Sequence, residues 1–485
     1  MNFEPVIGLE IHVEMRTKSK MFSSAPVGFS REPNTEIAPL DMGFPGTMPI
    51  VNKQAVINAI RVANALHMTI DHTVVFDRKN YFYSDLPKGF QITQQFRPIG
   101  KEGYLDILDK SGKEKRIRIE RIHMEEDTCK QLHFVDYTLL DYNRAGVPLV
   151  EIVSLPDLRS GTEAMHYVEA IRNIVIYSGT SDGKMEEGSL RCDVNISLRP
   201  YGSEKLGTKV ELKNLNSLKN IEIALDYEIA RQASLLLSGT PVQQETRRFD
   251  ESTGRTILMR VKSDAVDYKY FCEPNIVPIK LSDDFIDEAI KTCPELFDSK
   301  KSRFVRLGLN ETDADIILSD MEMARYFENA LPLVKNPKTL ANWLIVEVNG
   351  YLNKFGQPIV SFPVKPSVLS EIVNMQEAGL THKQCTDIFN FVLTHGVTPK
   401  KAEEELHIVL QVSDDSAIQV IVDQILEANP QSIIDFKAGK DRAVGFLIGQ
   451  VMKQSHVPQR HLLFKGFGLV AEYRHCTADN VVIVL

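Results

Sequence analysis

The chain contains no apolar run long enough to cross a bilayer, which excludes a membrane-spanning helix. None of its six cysteines, at 129, 192, 272, 293, 385 and 476, forms a Cys-x-x-Cys pair. A zinc ribbon and a dithiol redox motif are therefore unsupported, and free thiols in a reducing compartment are expected. The opening Met-Asn-Phe-Glu lacks the basic and apolar regions of a secretory signal, so a cytoplasmic location is expected. Positive charge is also in deficit: 56 Lys and Arg against 65 Asp and Glu leave a net charge of −9. That argues against bulk electrostatic binding of nucleic acid, so any RNA contact must come from local basic patches. There is no Walker A sequence. Gly466-Phe-Gly468-Leu-Val-Ala471 fits the dinucleotide fingerprint nominally, but it lies too near the C-terminus to open a βαβ unit. No Cys–His pair stands out as a catalytic nucleophile and base.

What is present is a set of strands with chemically unusual polar faces. In Val6-Ile-Gly-Leu-Glu10-Ile-His12-Val-Glu14, residues Glu10, His12 and Glu14 alternate with Ile7, Leu9, Ile11 and Val13. Period-2 alternation marks a half-buried strand. Residues 185–195 read Met-Glu-Glu-Gly-Ser-Leu-Arg-Cys-Asp-Val-Asn, with Asp193, Asn195 and Ser197 on one face and Cys192, Val194, Ile196 and Leu198 on the other. Lys209, Glu211 and Lys213 alternate with Val210 and Leu212. A further strand near residues 116–125 places Ile117, Ile119, Arg121, His123 and Glu125 on one face, with a less clean alternation. Glu151 adds another acidic point. Any one of these acids alone reads as a solvated surface carboxylate. Several such strands, mostly apolar on the reverse face, argue against that for the set. Oxygen ligands with an imidazole suit magnesium or manganese, which bridge phosphates.

For the phosphates themselves, Ser84-Asp-Leu-Pro-Lys88-Gly89 offers a turn with a point charge. Gly188-Ser189-Leu-Arg191 offers backbone N–H groups, a hydroxyl and a guanidinium together.

Long motifs in one order carry a specific resemblance. They are Gly8-Leu-Glu-Ile-His-Val-Glu14, Tyr83-Ser-Asp-Leu-Pro-Lys-Gly-Phe-Gln91, Met124-Glu-Glu-Asp127 and Asp141-Tyr-Asn-Arg-Ala-Gly-Val-Pro148. Met185 to Asn195, Lys209-Val-Glu-Leu-Lys-Asn-Leu-Asn216 and Gln244-Glu-Thr-Arg-Arg248 complete them. The chain resembles the GatB family, the kinase and transamidase subunits of the tRNA-dependent amidotransferases, from residue 1 to about 453. The resemblance implies ATP-dependent phosphorylation of the side-chain carboxylate of misacylated Glu-tRNA(Gln) or Asp-tRNA(Asn), then amidation. It implies ammonia channelled from an amidase A subunit, with a small C subunit completing a heterotrimer.

Family motifs and strand faces together give Glu10, His12, Glu125, Glu151, Asp193 and Glu211 as ligands of Mg2+ or Mn2+. Ser84, Lys88, Ser189, Arg191 and Lys213 are expected to hold ATP. Glu125, Lys88 and Lys79 are expected at the catalytic centre and channel mouth. The resemblance also implies a tail that grips tRNA, where Lys437, Lys440, Arg442 and Lys453 form a plausible phosphate-contacting set. The amidase Ser-Ser-Lys arrangement has no counterpart here. The chain departs from the family pattern at Cys129, Leu155 and Cys272, and again after Lys453. Two other readings weigh against this one: a metal-dependent phosphohydrolase, and a non-catalytic tRNA-binding scaffold.

At 485 residues, two or three domains are expected. The pattern reads as α+β: an antiparallel-sheet cradle domain over 1–292, an all-helical domain over 293–408, and a small helical tail domain over 409–485. Within the cradle, helices are expected near 52–66, from the capping box Ser160-x-x-Glu163 to Gly179, and near 217–237 up to Gly239. The helical region breaks at Asn336-Pro337, Gly356, Gly379 and Gly396.

Overall fold

A computed structural model describes residues 3–28, 32–261, 267–408, 415–437, 445–447 and 449–450. The chain divides into two compact units, Met1–Lys300 and Lys301–Leu485.

The first unit is built on a nine-stranded sheet. Its strands are β1 (Phe3–Glu14), β2 (Thr69–Ile70), β3 (Gly100–Leu108), β4 (Glu114–Glu126), β5 (Pro148–Ser154), β6 (Leu190–Pro200), β7 (Val210–Lys213), β8 (Glu245–Asp250) and β9 (Arg255–Val261). They lie in the order β9-β8-β7-β6-β1-β5-β4-β3-β2, so the N-terminal strand is central. Pairing is antiparallel throughout except between β7 and β8. Three helices, α1 (Lys53–Ala65), α2 (Gly161–Tyr177) and α3 (Leu218–Leu237), share the apolar core with the sheet. Ile7, Leu9, Ile11 and Val13 of β1 are at most 1% exposed. They join Ala59, Ile60 and Ala63 of α1, Val168, Ile171 and Val175 of α2, and Ile221 and Leu225 of α3. Sheet and helices thus bury one face and leave the other to carry chemistry.

The helix ends follow from local chemistry. Ser160 Oγ accepts from Glu163 N at the start of α2. The Glu163 carboxylate accepts from Arg159 N rather than Ser160 N, so the reciprocal half of the expected box is displaced by one residue. Gly179 and Gly239, at φ +73° and +77°, follow α2 and α3. At Gly103 a Cβ would stand 2.4 Å from Leu66 O, so only glycine lets β3 close on the end of α1.

Strand β4 departs from the sequence reading. Val153 pairs with Arg121, but Ser154 pairs with Ile119, so Glu120 is an extra residue against β5. A bulge of this kind reverses which parity faces the core. Ile117 and Ile119 are buried in the core before it, and Ile122 and Met124 after it, all at most 1% exposed. Ile117 and Ile119 therefore do not share a face with Arg121, His123 and Glu125. Glu102 of β3, at φ +54°, stands at the level of Glu120, and β3 keeps its register with β4.

A small antiparallel sheet places Asp77–Asn80 between Phe90–Thr93 and Phe271–Cys272. It carries Lys79 and the ends of the 81–89 loop.

The described part of the second unit is helical. Asn336 caps the helix opening at Pro337, and Gly356 and Gly396 end helices in the left-handed conformation. Trp343 is buried and donates its indole N–H to Gln376 at 2.7 Å. Among the described residues, no helix is long and apolar enough to cross a membrane.

Candidate metal and nucleotide centre

Register across the sheet assembles the site. His12 of β1 pairs with Glu151 of β5 on one side and Arg191 of β6 on the other. Glu151 pairs in turn with His123 of β4. Directly paired residues point to the same face, so His123, Glu151, His12 and Arg191 form one row of side chains. The neighbouring row holds Glu10 against Asp193, and Glu125 lies two residues from His123 in the opposite direction.

The geometry is close. His12 Nε2 lies 3.4 Å from Glu151 and 3.9 Å from Glu125. The potential ligand atoms of His12, Glu125 and Glu151 all lie within 4.8 Å of one another. Glu10 accepts from Asn195 at 2.9 Å. Asp193 is bonded by Lys213 Nζ, which also lies 3.2 Å from Glu211. Glu211 accepts from Thr246 Oγ1 at 2.8 Å. Of the six expected metal ligands, His12, Glu125 and Glu151 form the tight group. Glu10 and Asp193 form the next row, and Glu211 stands beyond Lys213.

The electrostatics are those of an acid cluster balanced by cations. Burial, and then the charges of Glu151 and Asp193, raise the proton affinity of Glu10. For His12 burial acts downward, but the carboxylates led by Glu151 and Glu125 outweigh it and push the imidazole up to about 9. His123 is likewise pushed up to about 9, against burial, by Glu151 and Glu125. Burial would raise Glu151, yet the two imidazoles hold it well below the usual carboxylate range. Burial opposes the Lys79 charge, but Glu125, Tyr270 and Glu151 outweigh it and hold the ammonium above its ordinary value. Lys79 sits 4.9 Å from the Tyr268 ring centroid and 5.8 Å from that of Tyr81. Protonated imidazoles here supply positive charge between carboxylates. A hard divalent ion fits the same demand and the same donor set.

A cavity of about 920 Å³ adjoins the row. His12, Gly188, Arg191, Asp193, Lys213 and Asn216 are among its lining residues. Gly188 turns at φ +83°. Ser189 Oγ and Arg191 Nε are buried without hydrogen-bond partners among the described residues, and Arg191 lines the cavity whereas Ser189 does not. Those features suit a polyphosphate.

Not every expected contact converges here. Lys88 Nζ lies 2.5 Å from both Glu126 oxygens. Glu126 also accepts from Ile92 N. Successive strand residues point to opposite faces, so this pair stands behind the strand that presents Glu125. Ser84 lies on the 81–89 loop, where its carbonyl accepts from Tyr142 and its hydroxyl from Gln131. Arg191 bonds Asp127 at 2.5 Å and lies 4.0 Å from Glu14. Burial and the Asp127 charge push Glu14 up to about 8. Arg191 and Arg144, against burial, hold Asp127 below its ordinary range.

Sequence reasoning left His123, Asn195, Asp127 and Lys130 out of the site. The first two could have been found, since both fall on polar faces already drawn. Asp127 lies beyond β4, where strand periodicity gives no guidance, and Lys130, which also lines the cavity, opens the strand Lys130–His133, too short to show an alternation. Lys437 ends a described helix, whereas Lys440, Arg442 and Lys453 fall outside the described residues.

Fold and site together define an α+β cradle protein that pools acids, imidazoles and cations on the open face of its sheet. Residues 5–287 match the family described as GatB/GatE catalytic domain, and residues 325–457 match a second described as GatB domain. The chain belongs to the GatB family. It is 49% identical over 456 residues to the GatB chain of the aspartyl/glutamyl-tRNA(Asn/Gln) amidotransferase of Geobacillus thermodenitrificans, covering 93% of this chain and 95% of that one. The corresponding chain of Persephonella marina is 47% identical, with 93% and 96% covered. That of Macrococcus caseolyticus is 49% identical, with 94% and 96% covered.

Proposed function

We propose that the chain is the kinase and transamidase subunit of a heterotrimeric tRNA-dependent amidotransferase, with an amidase A subunit and a small C subunit as partners. The observation that carries this reading is the convergence of His12, Glu125 and Glu151 beside a cavity lined by Arg191, Asp193 and Lys213. In the first step, the side-chain carboxylate of misacylated Glu-tRNA(Gln) or Asp-tRNA(Asn) attacks the γ-phosphorus of ATP. ADP leaves and an acyl phosphate forms. In the second, ammonia attacks the acyl carbon, inorganic phosphate leaves, and loss of one proton gives the amide.

Phosphoryl transfer to a carboxylate needs alignment and charge neutralisation more than a covalent catalyst. Divalent ions, Mg2+ or Mn2+, held by the tight group and by Glu10, Asp193 and Glu211, would supply neutralisation at the phosphate oxygens. Lys213 and Arg191 bind and orient the triphosphate by charge-assisted hydrogen bonds. Lys79, fixed against Tyr268 and facing Glu125, steers the carboxylate substrate toward the cluster. Lys88, behind β4, belongs to the route by which ammonia reaches the acyl phosphate. Residues beyond about 409 form a tail whose lysines meet tRNA phosphates.

The test is ATP-dependent amide formation on each misacylated tRNA by the reconstituted trimer. Absence of amide on both tRNAs, with glutamine hydrolysis intact, refutes the reading.

A further inference from the structure

His123 lies on the active face yet is withdrawn from the cavity. Its side chain is 6% exposed, against 24% for His12. Its Nε2 stands 3.2 Å from Glu151 and 3.7 Å from Glu125. His12 approaches Glu151 from the other neighbouring strand, at 3.4 Å. Both imidazoles meet the same carboxylate oxygen, Oε2. Among the described residues, no hydrogen bond reaches Glu151 Oε1.

Glu151 is thus bracketed within one sheet row, and one oxygen remains for a third group. His12 lines the cavity and can reach a ligand there. His123, between the buried Ile122 and Met124, reaches only the carboxylates.

We propose that His123 is a positioning residue, which fixes the rotamers of Glu151 and Glu125 so that their free oxygens converge on a divalent ion. This rests on the metal reading given above. The physical reason is general: a ligating carboxylate held by a second hydrogen bond loses little conformational freedom on binding. Loss of such a partner typically weakens metal affinity by about 10–100-fold. Thr93 Oγ1, 3.3 Å from Glu125 Oε2, gives Glu125 partial support of its own. Among the described protein groups, Glu151 has only the two imidazoles.

The experiment is Mn2+ binding to the full chain, followed by electron paramagnetic resonance of free Mn2+, with thermal unfolding of each variant as a check of folding. His123→Leu keeps the bulk and removes the hydrogen bond. Its affinity should fall by about 10–100-fold. His123→Gln carries an amide N–H close to the place of Nε2 and should stay within a few-fold of wild type.

Wild-type affinity in His123→Leu overturns the proposal. So does a loss in folded His123→Gln as large as in His123→Leu, because the imidazole would then be a ligand itself. If His123→Leu fails to fold, His123→Phe, which likewise carries no donor, takes its place: lost affinity supports positioning and retained affinity refutes it. Failure of the wild-type chain to bind Mn2+ removes the metal reading, and this inference with it.

Discussion

Glu125→Gln changes one ligand atom and little else. Glu125 is 4% exposed, accepts from Thr93 Oγ1 and lies 3.9 Å from His12 and 3.7 Å from His123. The amide occupies the same volume and its carbonyl can still accept from Thr93. Folding stability should therefore move by no more than about 1 kcal/mol. Function should not be spared. The amide is a weak ligand for a hard ion, and the charge facing Lys79 is gone. Loss of one group that stabilises developing charge costs about 3 kcal/mol, and about 1.4 kcal/mol is tenfold in rate, so amidation should fall by about 10² or more. His12→Ala should lose a similar amount. The assay uses the assembled complex, ATP and misacylated tRNA, with either glutamine or ammonium chloride as nitrogen donor. Both donors should fail alike, while the partner's hydrolysis of glutamine persists. Near wild-type amidation with ammonium chloride, in either variant, refutes the ligand assignment. Failure with glutamine alone would move Glu125 from phosphoryl chemistry to ammonia delivery.

Without divalent ions, stability should depend on pH through His12 and His123. Both are pushed from 6.5 up to about 9 in the folded chain, so their contribution is complete below about 6.5 and lost as pH rises through about 9. The thermal midpoint in chelator should fall between about pH 6 and about pH 10 more steeply than in His12→Ala, and an equal slope refutes this linkage. The isolated chain should release no ammonia from glutamine. Cys192 is buried with its thiol held well above the ordinary value, and burial pushes Cys129 up to about 11. Glutamine turnover by the chain alone, at the rate of an assembled complex, refutes that expectation. Deletion of Glu120 should leave the chain folded, because Ile117, Ile119, Ile122 and Met124 then alternate strictly and all stay on the core face, and the unpaired residue passes to Glu102 of β3. The cost should stay within about 3 kcal/mol, and a deletion variant that does not fold refutes the reasoning.

The sequence made β1 and β6 legible because each keeps strict alternation, with Leu9, Ile11 and Val194 inward and Glu10, His12 and Asp193 outward. It could not give the register between them. Glu10 opposite Asp193, and His12 opposite Glu151, depend on strands separated by more than a hundred residues. The bulge in β4 hid in the same way. Glu120 is an ordinary exposed residue by composition, and only its lack of a partner on β5 makes it the point where parity reverses. The motif around Lys88 read as a phosphate loop because lysine beside glycine suits one. The pairing with Glu126 reflects the packing of a small second sheet against β4, which local sequence does not encode. The helix ends were more accessible, since Ser160, Gly179 and Gly239 act within a few residues of themselves.

The arrangement also explains why this chemistry sits on the middle of a sheet. Glu10, Glu125, Glu151 and Asp193 repel one another. Two unit charges about 4 Å apart interact by about 4 kcal/mol at an effective dielectric of about 20. A loop carrying such a cluster would relax away from it. Strands β1, β4, β5 and β6 cannot, because their reverse faces are locked into one apolar core. Lys213, Lys79 and the two imidazoles offset the repulsion in the protein alone. A divalent ion competes for that role with the protons on His12 and His123. On the proposed reading, metal binding at neutral pH therefore releases protons, and its apparent affinity rises with pH. The same rigidity that tolerates the repulsion holds the oxygens in place, so a partner such as His123 is needed to fix rotamers rather than backbone.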